Sequence, residues 1–293
     1  MLRSLEKQSC RKMVKNFDKI VEIIPIAIFS RQITMFATAH ENRRREINMY
    51  DVTEGTSSKR RMPRGIGRSA FDRGYEARMA LDLETMRDAQ ELRYRSYLTH
   101  GHIASNTSGL FADKYDDYST SLTIVVYATG RAVGSVRTCL VRRNNDTRCP
   151  ARDSFPAEVD EILANCASAG DGYEVVEVNR LVRAPEAEDD QGLVFMLHRL
   201  AGRIGISAGF KIALSCVRLH HLPFYRRIGW VQAGEPRAYP GLRCPMALIK
   251  LPRPQWDAAR EAFPLMDPDA GAPGLLDGLE HGRTVRPHLV QTT

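Results

Sequence analysis

The amino-acid sequence predicts an α/β fold in which helices cover a mixed central sheet. Three observations lead to this class: a Thr-, Val-, Ile- and Tyr-rich run is broken by the turn Thr129-Gly130-Arg131, an apolar helical period extends over 191–208, and short β-rich runs alternate with helical segments. The predicted order is strand, helix, hairpin, strand, helix, strand, helix, hairpin. The sequence contains no internal repeat.

The first two elements form a strand-to-helix entry after residue 75. Apolar residues alternate over 77–83, which predicts a strand, and 85–97 has the pattern of a helix. Thr85 is the expected cap of this helix, because Asp88 follows three residues later as in a capping box.

The elements that follow are assigned from the same two periodicities. Ser121–Ala128 and 132–141 form the predicted hairpin, and a short helix at 156–167 precedes a strand at 173–182. The last predicted elements are a helix at 191–208, a strand at 211–217, a helix at 222–228, and a hairpin that pairs 230–233 with 246–251.

Composition divides the chain into three regions. We expect a basic, partly disordered leader at 1–70, one folded domain at 71–252, and a Pro/Gly-rich tail at 253–293 that is mostly disordered. The leader contains a linker, 41–68, in which Arg and Lys lie among Ser, Thr and Gly. The formal net charge of +7 implies attraction to acidic surfaces, whether of nucleic acid, anionic lipid or an acidic protein.

Cysteine usage and hydropathy exclude several classes of protein. The six cysteines form no CxxC pair and no Cys/His spacing typical of a metal site, so reduced thiols and no metal are expected. The apolar stretch 20–29 is interrupted by Glu22 and Pro25, which makes it too broken for a spanning helix or a convincing signal peptide. These features predict a cytoplasmic protein.

Four pairs of residues stand at element ends or on strands, where a core does not require charge. They are Arg93 with Tyr97, Asp113 with Asp116, Gly134 with Arg137, and Glu177 with Arg180.

In this order and spacing, the four pairs resemble the signatures of the autoinducer synthases and the long-chain N-acyl amino acid synthases, which share the GNAT acyltransferase fold. The matching segments are Arg93-x-x-x-Tyr97, Asp113-Lys114-Tyr115-Asp116, Gly134-Ser135-Val136-Arg137 and Glu177-Val178-Asn179-Arg180, with Asn179 where the family has serine. The segment 222–230 is also similar to the sequence that follows the fifth strand of GNAT proteins. The resemblance extends over 75–251.

The resemblance implies a GNAT fold and an acyltransferase. Such an enzyme would move a long acyl group from an acidic acyl carrier protein onto the amine of an amino acid. The donor would be acyl-phosphopantetheine on that carrier, and no cofactor would be bound to the chain itself. The basic balance of the chain suits an acidic carrier as partner.

Two departures from related proteins are informative. GNAT acetyltransferases bind the diphosphate of coenzyme A through backbone N–H groups of a glycine-rich loop. Here the corresponding residues, 186–192, are acidic and include a single glycine, so acetyl-CoA is a poor donor candidate. Lactone synthases typically carry a tryptophan after the first signature, and this chain has none before Trp230, which favours the amino-acid branch.

The resemblance also implies site residues. Glu177 would accept the amine proton or would only form an ion pair with one of the arginines, and Tyr225 would protonate the departing thiolate or only pack beneath the last hairpin. Backbone N–H groups near Leu181 and Val182 would bind the donor thioester and stabilise its oxyanion. Substrate contacts are expected from Arg93, Tyr97, Asp113, Asp116, Arg137 and Arg180, with a purely structural charged network as the alternative.

Other functions stay open at this point. An acyl-homoserine-lactone-type synthase using S-adenosylmethionine, or another acyltransferase of the superfamily, would share these signatures. A non-enzymatic binding protein with a degenerate GNAT fold would act through the basic leader, for which an anionic membrane surface is a candidate partner. No nucleic-acid motif is present, so nucleic acid is not an expected partner.

Overall fold

The computed structural model describes residues 74–142, 147–166, 173–269, 278–279 and 281–287. The chain divides into two units, Met1–Met62 and Pro63–Thr293, and all the described residues belong to the second. The predicted basic leader at 1–70 and its linker at 41–68 therefore lie outside the described residues. Cys139, Cys149, Cys166, Cys216 and Cys244 form no disulfide among the described residues.

The described strands form a mixed sheet. They are β1 Glu76–Met79, β2 Ser121–Ala128, β3 Arg131–Val141, β4 Val175–Arg183, β5 Ile212–Val217, β6 Val231–Gln232, β7 Arg237–Tyr239 and β8 Leu242–Pro252. Their order across the sheet is β1-β2-β3-β4-β5-β8-β6, with β7 paired to β8. β4 and β5 run parallel, and the other paired strands run antiparallel.

The helices pack on this sheet and bury its apolar residues. They are α1 Leu83–Thr99, α2 Pro150–Ser154, α3 Pro156–Asn165, α4 Gln191–Ala208, α5 Leu222–Arg227 and α6 Arg253–Ala262. α1 and α4 both contact β2, β3 and β4. A second apolar cluster joins Phe155, Val159 and Leu163 of the α2–α3 segment to Leu214 and Leu248 of the sheet. The predicted α/β class and mixed sheet are confirmed.

Several element bounds agree closely with the sequence prediction because the turns that end them are encoded locally. The turn of the β2–β3 hairpin is formed by Thr129 and Gly130, which both have positive φ. Helix α4 ends at Gly209, which has the left-handed conformation. The cap of α1 was predicted wrongly: Asp82, not Thr85, precedes the helix, and its carboxylate accepts a hydrogen bond from the Thr85 N–H at 2.7 Å.

The segment after residue 252 also differs from the predicted disordered tail. Helix α6 occupies Arg253–Ala262, and Trp256 is buried against Gly202 of α4. Further along, Val285 exchanges two backbone hydrogen bonds with Ala77 of β1, at 2.7 and 2.9 Å. The apolar side chains that lie among Pro and Gly are sufficient to dock this segment onto the domain. The overall composition of the segment did not predict this docking. None of the described helices has the length and apolarity needed to cross a membrane.

Candidate active site

A cavity of about 460 Å³ lies where β4 and β5 stop pairing. The parallel ladder ends at the pair Glu177 and Leu214, and one further contact, from the Ser215 hydroxyl to the Val178 carbonyl at 2.8 Å, joins the strands. Beyond it the exposed edges of β4 and β5 line the cavity together with residues of α1, α5 and β7–β8. This volume is within the usual range of ligand pockets, about 300–1,000 Å³.

A β-bulge in β4 aims Arg180 into this region. Asn179 pairs with Arg137 of β3, and Val182 pairs with Ser135, so β4 has one residue more than β3 between the two pairs. Arg180 itself has φ +50°, the left-handed conformation that non-glycine residues rarely adopt. Such a backbone costs about 1–3 kcal/mol and persists only where surrounding contacts fix it.

The charged residues of the signatures form one buried hydrogen-bonded network. Arg93 donates to both carboxylate oxygens of Asp116, at 2.7 and 2.9 Å, and to the Thr123 hydroxyl. Arg137 bridges the two aspartates, with Nη1 at 2.8 Å from Asp116 and 2.6 Å from Asp113. Asp116 lies in a short 3₁₀ turn, Lys114–Asp117, and Asp113 is its N-cap; each of the two side chains accepts from the other residue's backbone N–H, as in a capping box.

Asn179 and Arg180 complete the network. The Asn179 side-chain oxygen accepts from Arg137 Nε at 2.8 Å, which gives the residue in the serine position a structural function. Arg180 donates to Asp113 Oδ2 through Nε at 3.0 Å and Nη2 at 2.7 Å, and to the Pro240 carbonyl at 3.0 Å. These bonds hold the strained Arg180 backbone.

The network carries one more positive than negative charge, since it joins three arginines to two aspartates. Arg180 shares Asp113 with Arg137, and its Nη1 is buried without a hydrogen-bond acceptor among the described residues, as is Nε of Arg93. The Arg180 guanidinium is surrounded by the rings of Tyr97, Phe111 and Tyr239, whose centroids are 6.0, 4.8 and 5.5 Å away. Arg180 is the one member of this arginine–aspartate network that lines the cavity, so an anion that enters the cavity would lie beside its positive charge.

Asp113 provides a test of the network through pH. Burial alone would raise the pKa of its carboxyl, but the hydrogen bonds and charges of Arg137 and Arg180 hold that pKa well below 3.8. The stabilisation is therefore complete above pH 3.8 and is lost as pH falls towards the folded-state pKa. Replacing Asp113 with Asn is expected to lower the free energy of unfolding at pH 7, and this difference should shrink below pH 3.8. Urea denaturation of both proteins from pH 7 to pH 3 measures it, and a difference independent of pH would contradict it.

Glu177 lies behind the cavity and does not line it. The side chain is fully buried, one oxygen accepts from the Ala151 N–H at 2.8 Å, and the other accepts from the Tyr239 hydroxyl at 2.8 Å. Among the described residues it forms no ion pair with Arg137 or Arg180, which was the alternative considered above. Burial raises the pKa of Glu177, although these hydrogen bonds oppose the shift. Its predicted role as a base stays a prediction, and a direct contact with substrate would have to pass Tyr239.

Tyr225 does line the cavity, at the end of α5. Its ring makes edge-to-face contacts with Trp230 and His198, at centroid distances of 5.7 and 5.6 Å. No hydrogen bond of its hydroxyl is found among the described residues, and burial raises its pKa, so the phenol keeps its proton at neutral pH. This arrangement is compatible with the predicted acid role.

Leu181 and Val182 also line the cavity, on the stretch of β4 that β5 leaves unpaired. Gly134 of the third signature lies on β3 opposite Arg183 and supports this stretch from the other side. A Cβ on Gly134 would stand 3.1 Å from a methyl carbon of Leu193, so the glycine lets the start of α4 approach the sheet. The predicted thioester contacts at Leu181 and Val182 stay a prediction.

The acidic loop before α4 is folded against α1. Glu186 bonds Arg95, and Glu188 bonds His100 at 2.8 Å, so two of its charges are paired. Asp190 is the N-cap of α4 and accepts from the Leu193 N–H at 3.1 Å. A carboxylate therefore already occupies the helix terminus that would otherwise attract a phosphate.

Sequence reasoning missed Tyr239 and Arg218 as cavity residues. Tyr239 belongs to β7, a three-residue strand without a periodic signal, and reaches Glu177 across 62 positions of sequence. Arg218 follows β5 and contacts His102 and His221. These three side chains come from separate segments of the sequence, and only the fold brings them together.

Comparison with known proteins identifies the family of this chain. A family model described as "N-acyl amino acid synthase FeeM" matches residues 88–252, more than half of the chain. The chain belongs to the FeeM family of N-acyl amino acid synthases. All four signatures noted in the sequence lie within or at the matched region, and family membership establishes the chain as an acyltransferase.

The chain is also similar to solved structures. FeeM, an N-acyl amino acid synthase from uncultured soil microbes, matches with a TM-score of 0.52 and 12% identity, covering 63% of this chain and 94% of FeeM. BjaI, a CoA-dependent acyl-homoserine lactone synthase solved with MTA, has a TM-score of 0.46 and 16% identity, covering 67% of this chain and 92% of BjaI. No match to a curated protein was found. Together with the family model, the FeeM likeness confirms the predicted GNAT fold.

Proposed function

We propose that this chain transfers a long acyl group from acyl-phosphopantetheine on an acidic acyl carrier protein to the amine of an amino acid. The observation that carries the proposal is the Arg180 guanidinium, which has one nitrogen without an acceptor and belongs to the wall of a cavity between two splayed strands. A guanidinium with an open donor, walled by aromatic rings, is suited to the carboxylate of an amino acid. The free edge of β4 suits an extended pantetheine arm, whose amides need backbone partners.

The charge distribution supports the amino acid as acceptor. A carboxylate on Arg180 would neutralise the single excess charge of the three-arginine, two-aspartate network. A neutral amine or a second cation would leave that charge unpaired in a largely buried place, where an unpaired charge is costly. Arg180 is thus proposed to fix the acceptor so that its amine points along the cavity.

The reaction would join the amine nitrogen to the thioester carbonyl carbon and then break the carbon–sulfur bond. Tyr239 is proposed to take a proton from the nitrogen as it passes its own proton to Glu177, because its hydroxyl already donates to that carboxylate at 2.8 Å. Tyr225 would give its proton to the departing thiolate. Backbone N–H groups at Leu181 and Val182 would stabilise the oxyanion.

An acyl carrier protein is the proposed donor because its charge is opposite to that of this chain. The chain is basic, with a formal net charge of +7, and carrier proteins of this class are acidic. The start of α4, with Asp190 as its cap and Asp189 beside it, is a poor site for the diphosphate of coenzyme A. A single phosphodiester places less negative charge near these carboxylates.

The direct test is product analysis with purified protein. Acyl-carrier thioester, acyl-CoA and each amino acid would be supplied separately, and the products identified by mass spectrometry. N-acyl amino acids formed preferentially from the carrier thioester would support the proposal. Homoserine lactones formed with S-adenosylmethionine would replace it with the lactone-synthase alternative, and no acyl product from any donor would overturn it.

The proton route makes a separate prediction. Replacing Tyr239 with Phe is expected to lower kcat about tenfold or more, because the amine must then lose its proton before it binds. The residual rate should rise more steeply with pH than that of the parent protein, since the fraction of free amine grows with pH. Tyr118→Phe removes a hydroxyl outside the cavity lining and should change neither quantity. Equal pH profiles for Tyr239→Phe and the parent would exclude the relay.

A further inference from the structure

The outer part of the cavity contains a second cationic centre, separate from Arg180. Arg218, directly after β5, donates through Nη1 to His102 Nε2 and through Nη2 to His221 Nε2, the latter at 3.2 Å. All three residues line the cavity. His102 comes from the loop after α1 and His221 from the start of α5, so three separate segments converge on one guanidinium.

The charge of Arg218 is not neutralised by these contacts. A guanidinium can only donate, so Nε2 of His102 and Nε2 of His221 must each accept a hydrogen bond from Arg218. Both rings are therefore neutral. Burial and the nearby charge of Arg218 lower the pKa of His221 to about 4 and also lower the pKa of His102. Among the described residues no carboxylate lies within ion-pair distance of Arg218.

The other groups of the cavity near Arg218 are mixed in charge. His100 and His220 line the cavity; hydrogen bonds to the Ser96 carbonyl and to Glu188 raise the pKa of His100, whereas burial and the charge of Arg218 lower the pKa of His220. The Glu188 carboxylate also lines the cavity, and it bonds His100 at 2.8 Å. The imidazoles of His102 and His221 accept from Arg218 and hold its guanidinium, so the complementary ligand of Arg218 is an anion.

The usual place for such an anion in this fold is already filled. Asp190 caps α4 with its own carboxylate, which bonds the Leu193 N–H. Across the cleft, Arg218 offers a planar guanidinium held rigidly by two rings, and an Arg fork matches the oxygens of a phosphate ester. Three arginines line the cavity, and one of them, Arg183, already donates to the Asp190 carbonyl at 3.1 Å. Arg180 and Arg218 would thus bind different anions.

We propose that Arg218, held between His102 and His221, binds the phosphate of the donor's pantetheine arm. This inference rests on the proposed function, because it presumes a pantetheine thioester as donor. The shared chemistry is a phosphate ester at the end of the arm, and its source is either a carrier-protein phosphodiester or the diphosphate of coenzyme A. His102 and His221 are positioning residues, since they act through the guanidinium.

The experiment compares two small donors that differ only in the phosphate. Decanoyl-pantetheine and decanoyl-4′-phosphopantetheine are given to the full chain with a saturating amino acid, and kcat/KM is measured for each. The parent is expected to prefer the phosphorylated donor by about tenfold or more, mainly through KM. Arg218→Gln should lose this preference, so that its kcat/KM values for the two donors become equal within about twofold.

Two further variants separate binding from folding. Arg226→Gln removes an exposed arginine of α5 outside the cavity lining and should keep the full phosphate preference. Arg218→Lys keeps the charge without the fork and should retain part of the preference. Thermal unfolding of each variant verifies that the proteins are folded at the assay temperature.

The outcomes distinguish this inference from the proposed function. Equal use of both donors by the parent, or an unchanged preference in Arg218→Gln, would overturn the phosphate site while acyl transfer stands. Failure of the parent to acylate any amino acid with these donors or with a carrier thioester would overturn both. Running the parent and Arg218→Gln with carrier thioester and acyl-CoA identifies the source, because the natural donor should show the larger loss.

Discussion

Replacing Arg180 with Gln is expected to lower kcat/KM for the amino-acid acceptor by about a hundredfold, equivalent to about 2.7 kcal/mol. The parent guanidinium lines the cavity and has one nitrogen without an acceptor, and glutamine cannot supply a positive charge there. The loss should fall mainly on the KM of the acceptor. Initial rates at varied amino-acid concentration, with the acyl donor saturating, measure the effect.

A matched substrate pair isolates the carboxylate contact from other effects of the change. The amine made by decarboxylating the preferred amino acid should be a poor acceptor for the parent and should be used about equally well by the parent and by Arg180→Gln. Arg180 also holds Asp113 and the Pro240 carbonyl, so a purely structural role would reduce both acceptors alike. That outcome would mean that the carboxylate of the amino acid binds at another place in the protein.

The fold could be predicted from sequence wherever local chemistry fixes an element end. Helix α4 was predicted at its observed bounds, because a capping carboxylate precedes it and Gly209 ends it in the left-handed conformation. The hairpin of β2 and β3 follows in the same way from Thr129 and Gly130. Helix α6, at the start of the predicted tail, was not predicted because docking by Trp256 depends on a surface that only the folded domain supplies.

The site was predictable in membership but not in geometry. The motif spacing identified the two aspartates and three arginines, and the structure joins all of them. It could not show that Glu177 lies behind Tyr239, since this depends on which face of β4 meets β7. The bulge that turns Arg180 into the cavity is likewise a register effect, absent from any local pattern.

The same network makes stability depend on Asp116. This carboxylate is 4% exposed and accepts from two buried arginines, Arg93 at 2.7 Å and Arg137 at 2.8 Å. Replacing it with Ala leaves Arg93 without an acidic partner and removes one of two from Arg137. Breaking a buried pair in this way typically costs about 3–5 kcal/mol, because a guanidinium stays buried without compensation. We expect a decrease of this size in the free energy of unfolding, measured by urea denaturation at pH 7.

Asp117 provides the control, because it is the adjacent residue of the same 3₁₀ turn but is exposed. Replacing it with Ala should change the free energy of unfolding by less than about 0.5 kcal/mol. If Asp116→Ala does not fold, Asp116→Asn keeps the side-chain shape and should show a smaller loss of the same sign. A stability of Asp116→Asn equal to that of the parent would mean that the arginines are solvated in solution. In that case the excess charge at Arg180 would no longer argue for an anionic acceptor.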